Sequence, residues 1–191
     1  MTVITFIRHA QGTHNADALV RGVIAYADPI HTDAALTEFG YQQARAVRPK
    51  MEAMSFDAIY CSPLRRCRQT LLEILPASAD RTVYLDDALI EQSPGPNCCD
   101  TRVDRIEGLP SLWNTDAGAP VAPEQVCGVE LRTKQIRGFL DSVCLKWPMG
   151  HVLVVGHSQW ILNWCTLIAS SSDLGMPVVH LANCETLTVE L

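Results

Sequence analysis

The sequence predicts an α/β fold, a three-layer sandwich in which a mostly parallel central sheet is flanked by helices. Three observations support that expectation. Short β-type apolar runs alternate along the chain with longer stretches of helical periodicity. His151-Val152-Leu153-Val154-Val155 is almost wholly apolar, the pattern of a strand buried on both faces of a parallel sheet. And 191 residues with 48% hydrophobic content suffice for one good core, so residues 1–191 are read as a single domain.

In order along the chain, residues 3 to 8 form the first expected strand, followed by a loop that extends over residues 16 to 34. Thr37 is the N-cap of a helix that passes through Gln42-Gln43-Ala44-Arg45-Ala46-Val47 towards Pro49. Ala58-Ile59-Tyr60-Cys61 is the second strand. Ser62 then caps, and Pro63 opens, a helix covering about Leu64 to Leu75. Residues 81 to 85 make a third strand. Pro, Gly, Asn and Asp then mark 86 to about 123 as a loop region with some short structure. A long helix from about Glu124 to Lys146 precedes the buried strand at 151 to 155. An apolar helix from about Gln159 to Ala169 and a last strand near 185 to 190 complete the order.

Composition narrows the partners. A formal charge of -6 argues against a nucleic-acid partner, which would call for a basic face or stripe. The first strand begins at residue 2 or 3, with no room before it for a charged and apolar leader. No later apolar run approaches the roughly 18 residues of a membrane span, so a soluble, cytoplasmic protein with no membrane partner is expected. The eight cysteines, Cys61, Cys67, Cys98, Cys99, Cys127, Cys144, Cys165 and Cys184, lack the paired CxxC spacing of a zinc site. They are read as buried thiols rather than disulfides. No histidine pair has HxxxH or HExxH spacing, so neither metal nor cofactor is expected. The sequence sets no oligomeric state.

In open parallel sheets, ligands bind outside the carboxyl ends of the strands. Here those ends bear Arg8-His9 after the first strand, Arg65-Arg66 after the second, Glu91 after the third and Gly156-His157-Ser158 after the buried one. Arginine offers a planar fork of donors matched to phosphate oxygens. Neighbouring cations hold an imidazole unprotonated, and so able to attack as a nucleophile. A carboxylic acid can protonate a leaving oxygen and then, as carboxylate, activate water. The set suits phosphoryl transfer through a phosphohistidine to and from a small phosphorylated substrate.

Five stretches extend this reading into a resemblance. Arg8-His9-Ala10 with Asn15, Ala35-Leu36-Thr37-Glu38-Phe39-Gly40 with Gln42-Gln43, Ser62-Pro63-Leu64-Arg65-Arg66 with Gln69-Thr70, Leu89-Ile90-Glu91, and Val155-Gly156-His157-Ser158 are similar, in order, to the motifs of the histidine phosphatase superfamily in its phosphoglycerate mutase-like branch. The first stretch also resembles an RHAQGxHN subgroup. The resemblance implies that His9 is the phosphorylated nucleophile, Arg8 and Arg66 hold the phosphate, Glu91 is the acid and base, and His157 is the second histidine on the phosphoryl group. It places Gln11, Gly12 and Asn15 in the phosphate cradle, and makes Arg102 and Ser158 substrate-binding candidates. Two positions depart from the family pattern: Ala10 stands for the usual glycine, and His157-Ser158-Gln159 for the commoner His-Gly-Gly. The 86 to 123 region lacks the long insertion associated with the mutases, which favours hydrolysis, since a mutase must keep its intermediate from water.

Other readings stand beside this one: mutase-type transfer, a repurposed or non-catalytic phospho-ligand site on the same fold, and a serine esterase. The esterase rests on Gly156-His157-Ser158-Gln159-Trp160, a near match to the G-x-S-x-G elbow, with Asp173 and His180 following in order. Tryptophan in place of the final glycine counts against it, as do the 33 residues left after Ser158. Arg65 and Arg68 are expected on a solvated helix face. His14, His31, His151 and His180 are expected to be ordinary surface or core histidines, and Trp160 and Trp164 to pack in the core.

Overall fold

A computed structural model describes residues 1–91, 110–117, 129–171 and 180–191. In chain order, β1 (Val3–Arg8), α1 (Thr13–Arg21) and two 3-10 turns at Gly22–Ala27 and Pro29–His31 lead to α2 (Glu38–Glu52). Then come β2 (Ala58–Cys61), α3 (Arg65–Ile74), a 3-10 turn at Pro76–Asp80, β3 (Val83–Asp86) and another turn at Asp87–Leu89. The remaining described elements are β4 (Trp113–Ala117), α4 (Val129–Lys146), β5 (His151–Gly156), α5 (Ser158–Ser171) and β6 (Thr186–Glu190).

The described strands form one six-stranded sheet in the order β4-β3-β2-β5-β1-β6, parallel throughout except for β6, which runs antiparallel to β1. The registers pair Arg8 with Gly156, Cys61 with Val155, and Cys61 with Leu85. The carboxyl ends of β1, β2, β3 and β5 therefore finish level along one edge.

Period-2 alternation splits the core into two layers. Ile7, Ile59, Cys61, Val83, Leu85, Leu153 and Val155 pack towards α2 and α3, against Ala44, Met51, Cys67, Leu71 and Ile74. Ile4, Phe6, Ala58, Tyr60, Val152 and Val154 pack towards α4 and α5, against Phe139, Leu140, Val143, Trp160 and Trp164. The Phe6 ring sits 4.6 Å from Trp164, and Phe139 meets Trp160 edge-on at 5.8 Å. At about 25 cal/mol per Å² over roughly 150–250 Å², each buried tryptophan represents about 4–6 kcal/mol of gross burial. The three-layer sandwich is as the sequence predicts, and the described cysteines are all free thiols, four of the five buried. No helix among the described residues is long and apolar enough to cross a membrane.

Several local expectations are corrected. Pro49 does not end α2, which continues to Glu52, because Pro49 still supplies its carbonyl to Ala53 N at 3.2 Å and Met51 in that last turn is fully buried. Thr37 does cap this helix, its Oγ1 accepting from Gly40 N. Ser62 and Pro63 do not open α3. Its first amide, Arg65 N, instead donates to Asp33 Oδ1 at 2.7 Å, from a residue held at φ 42 in the loop before α2. The expected 16–34 loop contains most of α1, which buries only His14 and so shows no apolar core stripe in the sequence. Within 86–123, β4 adds a parallel edge strand anchored by Trp113, whose indole N–H donates to Ser78 O.

At Gly40 the first turn of α2 presses on the loop after β1: a Cβ there would lie 2.2 Å from Gln11 O. Gly40→Ala should therefore cost about 1–3 kcal/mol by forcing helix and loop apart. A urea midpoint unchanged in that variant would show that the contact relaxes freely.

Candidate active site

Strand β1 delivers His9 just beyond its end, where His9 N donates to Gly156 O and the loop turns away. Its ring is 2% exposed, with Nδ1 2.7 Å from Ala10 O. A carbonyl only accepts, so Nδ1 bears the proton and Nε2 holds a free electron pair. Arg66 Nε donates to that Nε2 at 3.2 Å. Burial lowers the His9 pKa well below the imidazole range, helped by Arg66, His14 and Arg8, and the ring is neutral.

Arg66 is itself 1% exposed and bridges to the second histidine, with Nη2 3.3 Å from His157 Nδ1. A guanidinium only donates, so His157 accepts at Nδ1 and donates from Nε2 to Ser62 Oγ at 2.8 Å. The two histidine rings stand 5.1 Å apart. Arg8 donates from Nη1 to Leu181 O, while its Nε is buried with no hydrogen-bond partner among the described residues. Such a donor is a place for an anion. Burial lowers the Arg8 pKa, and Glu91 opposes that effect. Glu91 Oε1 accepts Trp160 N at 3.2 Å, which holds the carboxylate in the first turn of α5.

The loop between these groups is fixed through its backbone. Thr70 Oγ1 accepts Ala10 N, Gln43 Oε1 accepts Gln11 N, Gln69 Oε1 accepts Leu36 N, and Asn15 Oδ1 accepts Gly12 N. Gln11 Oε1 is engaged by Thr37. The methyl of Ala10, where the family pattern has glycine, is fully buried within the core layer that faces α2 and α3. Gly12 has no such latitude, since a Cβ there would lie 2.7 Å from the His14 ring.

Arg8, His9, Arg66, Glu91 and His157 thus come together at one sheet edge, with Gln11, Gly12 and Asn15 in the adjoining loop. Ser158 is buried as the first residue of α5 and is hydrogen-bonded to no histidine among the described residues. Arg102 and Asp173 lie outside the described residues, and His180 is exposed. Arg68, expected on a solvated face, is only 7% exposed and reaches towards Asp33 at 3.7 Å, while Arg65 is exposed as expected. Among the described residues, no group of three His, Cys, Asp or Glu could hold a metal ion.

One further residue beside His9 has no signal in the sequence, and another lies within the RHAQGxHN stretch. Asn183 donates from Nδ2 to His9 O at 2.8 Å, in a turn where Cys184 adopts φ 61. His14 is buried as a core histidine can be, 4% exposed, and its ring stands 5.7 Å from His9. Burial first, then Arg66, His31 and Arg8, lowers its pKa to about 2.

A family model of the histidine phosphatase superfamily (branch 1) matches residues 4–191, and the chain belongs to that superfamily. A probable phosphatase of Schizosaccharomyces pombe is 29% identical over 138 residues, which cover 71% of this chain and 43% of that protein. The chain thus spans less than half the length of that relative. Phosphoserine phosphatase 1 of Hydrogenobacter thermophilus is 27% identical over 160 residues, 83% of this chain and 72% of that one. The fold matches a phosphoserine phosphatase of Entamoeba histolytica in complex with phosphoserine, at TM-score 0.60 and 20% identity, covering 98% and 90% of the two chains. It also matches the alpha-ribazole phosphatase of Shigella flexneri, at TM-score 0.66 and 20% identity, covering 99% and 90%.

Neutral buried histidines make stability depend on pH. An unfolded histidine titrates near about 6.5, whereas His14 in the fold does so at about 2 and His9 well below its usual range. Between the folded and unfolded values the unfolded chain binds more protons, so this contribution is full above pH ~6.5 and declines on acidification. The slope approaches ~1.4 kcal/mol per pH unit for each ring. Urea midpoints from pH 7.5 to 4.5 should fall less steeply in His14→Gln than in the parent protein; parallel slopes would mean that His14 takes up its proton without unfolding.

Proposed function

We propose that this chain is a metal-independent phosphomonoesterase that hydrolyses a small phosphorylated metabolite through a phosphohistidine at His9. The observation behind this reading is the state of His9: a neutral ring with Nδ1–H held by Ala10 O and a bare Nε2 directed at a buried guanidinium. An imidazole fixed in this way is a nucleophile. Arg66, which donates to Nε2 in the free protein, transfers that donation to a phosphoryl oxygen when substrate binds.

In the first half-reaction, Nε2 forms a bond to phosphorus as the phosphorus–alcohol oxygen bond breaks, and Glu91 gives the departing oxygen its proton. In the second, Glu91 as carboxylate removes a proton from water, whose oxygen bonds to phosphorus as the P–N bond breaks and releases phosphate. Arg8 and Arg66 stabilise the charge on the phosphoryl oxygens, and His157 keeps Arg66 oriented while adding its own ring to the oxygen cradle. The phosphatases among the relatives support this reaction class.

Phosphate release from a panel of phosphomonoesters in the presence of EDTA should continue in the intact protein and be abolished in His9→Ala. Full activity in that variant would remove the mechanism. Glu91→Gln should slow alkyl phosphates by about 100-fold or more, because their alkoxides need a proton, and p-nitrophenyl phosphate far less. Equal slowing of both would assign Glu91 to binding instead.

A further inference from the structure

Beside Arg8 the surface opens into a cavity of about 330 Å³. Arg8, Gln11, Asn15 and Asn183 line one side, continuous with the loop that bears His9. The other side is apolar and comes from α1 and the 3-10 turn after it: Ala18, Leu19, Val23 and the Tyr26 ring. Leu19 is 81% exposed and Val23 80%, and their neighbours Val20 and Ile24 also face water. Since α1 buries only His14 against the protein, these aliphatic side chains do no work in the core. A contiguous apolar patch at the mouth of a cavity marks a binding surface.

The same wall offers no charge. Between Ala10 and Ala44 the sole arginine or lysine is Arg21, and it is bound to the carboxylates of both Asp17 and Asp28. Among the described residues of this wall, a substrate with a second anionic group would meet no cation other than Arg21, already held by two carboxylates. The volume lies at the small end of ligand pockets, about 300–1,000 Å³.

We propose that this wall receives the alcohol part of the ester, and that the preferred substrates are phosphate monoesters of short aliphatic or single-ring alcohols without a carboxylate. The proposal rests on the phosphomonoesterase reading and adds a substrate class to it.

Alkylphosphonates, which cannot be hydrolysed, test the wall independently of catalysis. Calorimetric titration of the intact protein should show affinity rising by about twofold or more per methylene from methyl- to hexylphosphonate, at least ~30-fold over the five methylenes of the series. In Leu19→Ser/Val23→Ser, whose replaced side chains are exposed and whose folding is checked by its urea midpoint, the hexyl-to-methyl ratio should fall below ~3. Equal affinity across chain lengths, binding of neither phosphonate, or an unchanged ratio in the double variant would each overturn the assignment. Parallel turnover assays separate the two readings. Length-dependent binding without phosphate release from any ester retains the wall and removes the phosphatase. His9-dependent release that ignores chain length and is fastest with phosphoserine removes the wall and retains the phosphatase.

Discussion

The site depends on burying the Arg66 guanidinium between two histidines. Taking a cation out of water costs on the order of several kcal/mol unless its donors find partners. Here Nε and Nη2 find His9 Nε2 and His157 Nδ1, which accept only while both rings lack a proton at those atoms. One buried charge therefore fixes both tautomers, with Ala10 O and Ser62 Oγ receiving the remaining N–H of each ring. The charge that would bind phosphate also adds to burial in keeping the His9 ring unprotonated.

That arrangement needs three strands whose ends finish together. Strand β5 lies between β1 and β2, and the strand-end amides of His9 and Ser62 donate to its last carbonyls, Gly156 O and Val155 O. His9, Ser62 and His157 are thus tied to one short stretch of sheet edge, and α3 reaches Arg66 over it from the side. Rigidity follows from the backbone contacts rather than from the candidate site groups themselves. Thr70, Gln43, Gln69 and Asn183 each spend a side chain on a loop amide or carbonyl, so that His9, Arg66 and His157 need not also hold the loop in place.

Sequence reasoning is strongest where periodicity reports burial. Ala58–Cys61 and the His151 strand are found where the pattern places them, because both faces of these strands are apolar. It is weakest where an element owes its shape to neighbours. Helix α1 has no core stripe, and β4, WNTDA, has a single large apolar anchor, so neither carries a periodic signal. Among site residues, the groups at strand ends are found by topology and chemistry together. Asn183 is not, since its proximity to His9 arises from a turn before β6 that carries no pattern in the sequence. Arg68 is buried for the same reason: its guanidinium reaches towards Asp33, a partner distant in sequence that the pattern of its own helix does not reveal.

The overall charge and the local charge have opposite signs, and the contrast limits how a phosphate ester can be bound. At net -6 the chain as a whole repels a dianion, yet at physiological ionic strength such repulsion is screened beyond about 8 Å. Within that distance Arg8 and Arg66 act through low-dielectric surroundings that do not screen them. Some of the acidic charge is also engaged locally: Asp17 and Asp28 hold Arg21, and Glu73 holds Arg45 and Arg48. Attraction is therefore short-ranged and confined to the cradle, so selectivity among phosphate esters falls to whatever lines its mouth.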